Sequence, residues 1–162
     1  MNRSNRNHSP GSSVGSCFCP RTSIERVRAL CSATVSCCLL TQLGRTSGRR
    51  YQTVLEILRY DEDSDESIVM AGWGRATQWL HNVEAGHAVE IQVGRTAYPP
   101  VWRIVGLDEA RWTLREYLDR NRRGGPIMRR VLGGMLGWPF DGSDAALNRA
   151  IEQLQLVGVR PR

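Results

Sequence analysis

At 162 residues, with 41% hydrophobic and 23% charged side chains, the chain suits one globular domain with a real core. A net charge of +6 favours an anionic cofactor, a polyanion or an anionic membrane surface. No apolar run approaches membrane-spanning length. No helix-turn-helix, zinc-finger or aromatic RNA-binding signature accompanies the charge, so no nucleic-acid partner is expected.

Met1 to Arg21 mixes Asn, Arg, Ser, Gly and Pro without a continuous apolar stretch, which argues against a secretory signal. Residues 1–22 read as a disordered tail or as sequence upstream of the true start, and 23–162 as one domain. The five cysteines, Cys17, Cys19, Cys31, Cys37 and Cys38, are odd in number and match no zinc spacing. Their simplest reading is reduced thiols in the cytoplasm, with Cys37 and Cys38 as small core hydrophobes. No metal site is expected.

Ser23 to Leu30 reads as a short helix capped by Ser23. Thr34 to Gln42 is the first strand and Tyr51 to Tyr60 the second. On the second, Tyr51, Thr53, Leu55 and Ile57 share one face; Val54, Glu56, Leu58 and Tyr60 share the other. Both faces carry apolar residues, as in a small barrel. Glu56 fits an ion pair or a solvated position better than a pocket.

The two strands flank Gly44-Arg45-Thr46-Ser47-Gly48-Arg49-Arg50. Glycines let such a loop turn and approach a ligand. Its amides, two hydroxyls and three arginines are the donors an anion cradle needs. A solvated basic hairpin has the same composition.

Asp61 to Glu66 is an acidic turn, and Ser67 to Ala71 a third strand. Gly72-Trp73-Gly74 implies a close backbone approach, to a ligand or to another strand. Arg75 to Ala85 is a short helix with Trp79, Asn82 and Val83 on one side. Ala88 to Val93 is a strand, with Val89, Ile91 and Val93 on one face. Gly94-Arg95 turns the chain into Thr96–Val105, where Pro99-Pro100 imply an edge or a bulge. Asp108 is expected to cap a helix reaching Asn121, with Ala110, Leu114, Tyr117 and Leu118 inward. Ile127 to Leu136 is an amphipathic helix among Arg122, Arg123, Arg129 and Arg130: a packed helix, a pocket wall or a contact with anionic lipid. Ser143 caps a last helix, and Leu156 to Val159 is a short closing strand. The pattern is a small β-barrel with helices packed outside. No general acid or base stands out, so an enzyme of this kind would leave the chemistry to a cofactor.

LLTQLGRTSGRR, MAGWG, QWLHN, VGR and LGWPFDGSDAAL together resemble the deazaflavin-dependent nitroreductase and quinone reductase family of actinobacteria. The resemblance covers Val35 to Pro161. It implies an α+β split β-barrel, related to FMN-binding barrels, with helices outside. It implies reduced coenzyme F420 as hydride donor to a flat apolar small-molecule acceptor, such as a quinone, an enone or a nitroaromatic. It places Arg45, Thr46, Ser47 and Gly48 around the cofactor phosphate, and Arg49 or Arg50 at the phosphate or the glutamyl tail. It sets Gly72, Trp73 and Gly74 along the deazaflavin ring and ribityl chain, and Trp79 and Asn82 at the cofactor wall. Three positions depart from the family's usual residues: Thr46 for Lys or Arg, Trp73 for a polar or basic residue, and Leu80 for Tyr. The alternatives are an FMN- or haem-binding barrel, and a non-catalytic module that binds cofactor or lipid. The expected protein is cytoplasmic, a monomer or a homodimer, with a possible peripheral membrane contact.

Overall fold

The structure, a computed structural model, describes residues 37–122 and 125–162. The expected tail, the Ser23–Leu30 helix and Cys17, Cys19 and Cys31 lie outside the described residues. The described elements are β1 (Cys37–Leu43), β2 (Arg50–Asp61), β3 (Glu66–Ala71), a 3-10 turn (Gly74–Ala76), α1 (Gln78–Glu84), β4 (Ala88–Val93), β5 (Thr96–Tyr98), β6 (Pro100–Ile104), α2 (Leu107–Arg120), α3 (Gly125–Leu136), α4 (Asp144–Gln153) and β7 (Gln155–Pro161).

The seven strands run in the order β5-β4-β1-β2-β3-β7-β6, with every neighbouring pair antiparallel. The ends of this sheet are consecutive in the chain. β5 pairs with β4; after Pro99 the chain changes partner and β6 pairs with β7. The proline pair therefore sits where one strand leaves one sheet edge for the other. The result is a near-closed barrel with helices packed outside, the split-barrel α+β fold. Among the described residues no helix is long and apolar enough to cross a membrane.

Two cores use the two faces of the sheet. Inside the barrel, Cys38, Leu40, Leu55, Ile57, Val69, Ile91 and Val157 meet Trp79, Leu80 and Val83 of α1. Outside it, Leu58, Ile68 and Leu156 meet Ala110 and Leu114 of α2, Leu132 of α3 and Leu147 and Ile151 of α4. The doubly apolar pattern of β2 follows from this. Ile57 and Leu58 are consecutive yet 4% and 1% exposed, one in each core. The register between β2 and β3 shifts between Ile57 and Arg59. Glu56 is exposed, and its carboxylate accepts a hydrogen bond from the Tyr117 hydroxyl.

Three local expectations are corrected. Asp108 does not cap α2. Gly106 is the cap residue and its carbonyl accepts from the Ala110 N–H at 2.8 Å; Asp108 lies in the first turn, where its charge suits the helix dipole. Val89 does not share the face of Ile91. Thr41 pairs with Glu90 but Gln42 pairs with Ala88, so Val89 is the extra residue of a bulge and is 41% exposed. Ala88 packs inward in its place. Cys37 is disulfide-bonded and not a free thiol. Cys38 is free and fully buried, and burial pushes its thiol pKa up to about 12, so it stays protonated. Ser143 caps α4 as expected, its hydroxyl accepting from the Ala146 N–H at 3.2 Å.

Candidate functional site

The antiparallel register brings the C-terminal ends of β1 and β3 and the N-terminal ends of β2, β4 and β7 to one end of the barrel. That end carries the 44–49 loop, the Gly72–Thr77 turn and α1. Most of the motif residues thus gather there, although they are spread over some forty positions in sequence.

The loop is a tight closure of β1 onto β2. The Gly44 N–H donates to the Arg49 carbonyl and the Gly48 N–H to the Gly44 carbonyl, both at 2.8 Å. Gly48 has φ +63°, which its lack of a Cβ permits. The Ser47 hydroxyl accepts from the Arg49 N–H at 3.3 Å and shares a hydrogen bond with the Tyr51 hydroxyl at 3.3 Å. The N–H groups of Thr46 and Ser47 meet no acceptor among the described residues. Residues 45–50 are all exposed. The loop therefore offers two consecutive uncommitted amides, the Thr46 hydroxyl and three guanidinium groups around one short turn.

What holds this loop in place comes from α1. The Asn82 side chain is 7% exposed, and its Oδ1 accepts from the Arg45 N–H at 3.1 Å. The Arg45 guanidinium donates to Gln78 Oε1 at 3.0 Å. Asn82 also accepts, through its backbone carbonyl, from the His87 N–H, and the His87 carbonyl accepts from the Leu43 N–H, both at 2.9 Å. Asn82 is thus joined to the loop, to the end of β1 and to the entry of β4. Trp79, three residues earlier, is 8% exposed and packs in the barrel core. The W-x-x-N spacing puts an anchoring indole and a loop-holding amide on one side of a short helix. Replacing Asn82 with Ala leaves the Arg45 N–H without its side-chain acceptor. An effect of about 0.5–1.5 kcal/mol is expected, read as faster hydrogen exchange at Arg45 and weaker anion binding by the loop.

The glycines of the Gly72–Gly74 turn face protein. A Cβ on Gly72 would lie 1.9 Å from Met135 Cε of α3. One on Gly74, whose φ is +57°, would lie 2.3 Å from the Gln153 carbonyl oxygen at the end of α4. The close approach read from the sequence is thus made by α3 and α4. Trp73 between them is 66% exposed.

The barrel interior holds only a void of about 10 Å³, lined by Leu40, Leu55, Trp79, Ile91 and Trp102 among others. A flavin-sized ring does not fit in that void. Among strongly shifted groups, Cys38 and Tyr98 both pack with the barrel core, and burial pushes each pKa up to about 12. Both stay protonated at neutral pH. Sequence reasoning missed Tyr51 and Gln78. Each is a loop contact whose only sequence signal is its distance from a motif residue, four from Ser47 and one from Trp79.

Among curated proteins no sequence matches the chain. A protein of unknown function from Agrobacterium tumefaciens aligns in structure with a TM-score of 0.44 and 16% identity, over 90% of this chain and 57% of that one. The present chain therefore spans little more than half of that protein. A pyridoxamine 5'-phosphate oxidase-related, FMN binding protein from Nostoc punctiforme aligns with a TM-score of 0.41 and 14% identity, over 91% of this chain and 83% of that one. The family model described as F420H(2)-dependent quinone reductase matches residues 21–124, well over half of the sequence. The chain belongs to the F420H(2)-dependent quinone reductase family.

Proposed function

We propose that the protein is a reductase that uses reduced coenzyme F420 and acts on a flat apolar acceptor: a quinone, an enone or a nitroaromatic. One observation carries the reading. The 44–49 loop presents the uncommitted amides of Thr46 and Ser47 beside Arg45, Arg49 and Arg50, and Asn82 holds it in that shape. A phosphate needs several convergent N–H donors and positive charge, and this loop has both. Family membership supports coenzyme F420 as the cofactor that brings the phosphate.

In this reading Thr46, Ser47 and Gly48 wrap the phosphate with backbone and hydroxyl donors. Arg45 is steadied by Gln78. Arg49 and Arg50, exposed and next to each other, extend the positive surface toward the carboxylates of a glutamyl tail. Thr46 donates a hydroxyl where a lysine or arginine is usual in the family, and the arginines on either side of the turn carry the charge in its place. Gly72 and Gly74 act indirectly: they seat the turn on α3 and α4 so that Trp73 projects at the same barrel end. Trp79 and Asn82 likewise act from beneath, as core and as loop anchor. The bound cofactor, when reduced, supplies the hydride. The protein binds it, orients it against the barrel end and limits water on one face.

The test is local. Arg45→Ala and Ser47→Ala are each expected to weaken cofactor binding by roughly 1–3 kcal/mol, the scale for losing a charged hydrogen bond or the hydroxyl that shapes the turn. The measurement is an equilibrium titration followed by the cofactor's absorbance. Unchanged affinity in both variants would remove the phosphate from this loop.

A further inference from the structure

The helical pair α3 and α4 lies beyond the segment matched by the family model, which ends at residue 124. The LGWPFDG segment that joins the two helices builds an open groove of about 480 Å³ with residues of α3. It is lined by Trp138 and Phe140, by Gly133 and Gly137, and by Arg129 and Arg130. Both arginines are exposed.

The charge in this groove is one-sided. Residues 125–140 contain no Asp or Glu. Arg130 has no acidic partner among the described residues. Asp141, just past the groove, accepts from the Ser143 N–H at 2.9 Å at the start of α4; its pKa is held low first by the bonds from Ser143 and only in smaller part by Arg129. The aromatic wall is firmly set. Trp138 donates its indole N–H to Gln153 Oε1 at 2.8 Å, packs against Phe140 with ring centroids 6.0 Å apart, and carries the Arg149 guanidinium 4.5 Å from its ring centroid. Phe140 is buried. A fixed aromatic wall beside two exposed guanidinium groups suits a ligand that is flat at one end and anionic at the other. The ring lies along Trp138, and a carboxylate or sulfonate takes an arginine in paired hydrogen bonds. Small-molecule sites occupy roughly 300–1,000 Å³, and this groove falls in that range.

We propose that this groove is a binding site for a planar aromatic carboxylate or sulfonate. The groove touches the candidate cofactor end through Gln153, whose carbonyl oxygen lies against Gly74 while its side chain accepts from the Trp138 indole. The binding proposal nonetheless stands whichever cofactor the 44–49 loop holds.

The experiment is calorimetric titration of the full chain, without cofactor, with 1,4-naphthoquinone-2-sulfonate and with uncharged menadione. The sulfonate is expected to bind at least tenfold more tightly than menadione. The Arg129→Gln/Arg130→Gln double variant, with both changes on the surface, is expected to lose at least tenfold of the sulfonate affinity and to keep its affinity for menadione. Arg95→Gln, an exposed arginine in the β4–β5 turn, is expected to bind the sulfonate as the unchanged protein does. No binding of the sulfonate, equal binding of the two quinones, an unaffected double variant, or an equal loss in Arg95→Gln would each overturn the proposal. Binding of F420 in a separate titration is unaffected by any of these results, so the two readings fail independently.

Discussion

Trp79→Ala is expected to cost about 3–5 kcal/mol of folding stability, the range for deleting a buried aromatic side chain. The indole is 8% exposed and belongs to the core that α1 shares with β1, β2, β4 and β7. The interior around it has a void of only about 10 Å³. Close packing of that kind leaves the barrel no neighbour large enough to fill the gap without shifting strands. A domain of this size is stable by only about 5–15 kcal/mol, so the loss is a large share of the total. The effect should reach the loop as well. Asn82 rides on the same short helix, and its grip on the Arg45 N–H depends on the position Trp79 gives α1. Urea unfolding checks the stability and a titration checks the cofactor. Trp79→Phe, which keeps a ring in the core, should retain most of both. An unchanged urea midpoint in Trp79→Ala would mean that the helix is not anchored by its indole.

The second large effect is expected at Gly74. Alanine there must adopt φ near +57° and place its Cβ about 2.3 Å from the Gln153 carbonyl oxygen. The obstacle is backbone at the junction of α4 and β7, not the end of a flexible side chain. Strained φ and overpacking each cost about 1–3 kcal/mol, so Gly74→Ala is expected to destabilise by roughly 2–6 kcal/mol. Gly134 is the control. It sits within α3, exposed, and a Cβ there meets nothing within 4 Å. Gly134→Ala should raise stability by up to about 1 kcal/mol through helix propensity. Thermal unfolding of the two variants side by side reads the sign directly. Equal behaviour would mean that the Gly72–Gly74 turn does not need its seat on α3 and α4.

The barrel was legible where periodicity and punctuation agreed. The doubly apolar β2, the turn at Gly94-Arg95, the proline break between β5 and β6 and the Ser143 cap each have a local cause, and each stands where the sequence puts it. Misreadings came from positions decided by distant partners. The inward face of β4 could not be assigned, because the bulge at Val89 is a property of its pairing with β1. Asp108 looked like a cap on composition, whereas Gly106 starts α2 with its own carbonyl. At the candidate site, the loop chemistry was readable in GRTSGRR, since glycines, hydroxyls and arginines carry their meaning locally. The mode of action of Asn82 was not. Its partner is the Arg45 N–H, 37 positions away, and only the folded chain brings the two together. The same holds for Gly72-Trp73-Gly74. The sequence announced a close approach, but Met135 and Gln153 come from helices far along the chain.

The most direct test of the account is an equilibrium titration of the purified protein with coenzyme F420 and with FMN under the same conditions. Both cofactors carry a phosphate, and only F420 adds the glutamyl carboxylates that the proposed function assigns to Arg49 and Arg50. Tight binding of F420, affinity that rises with tail length, and weak binding of FMN are expected. Preference for FMN, or F420 binding indifferent to the length of its tail, would contradict the proposed function.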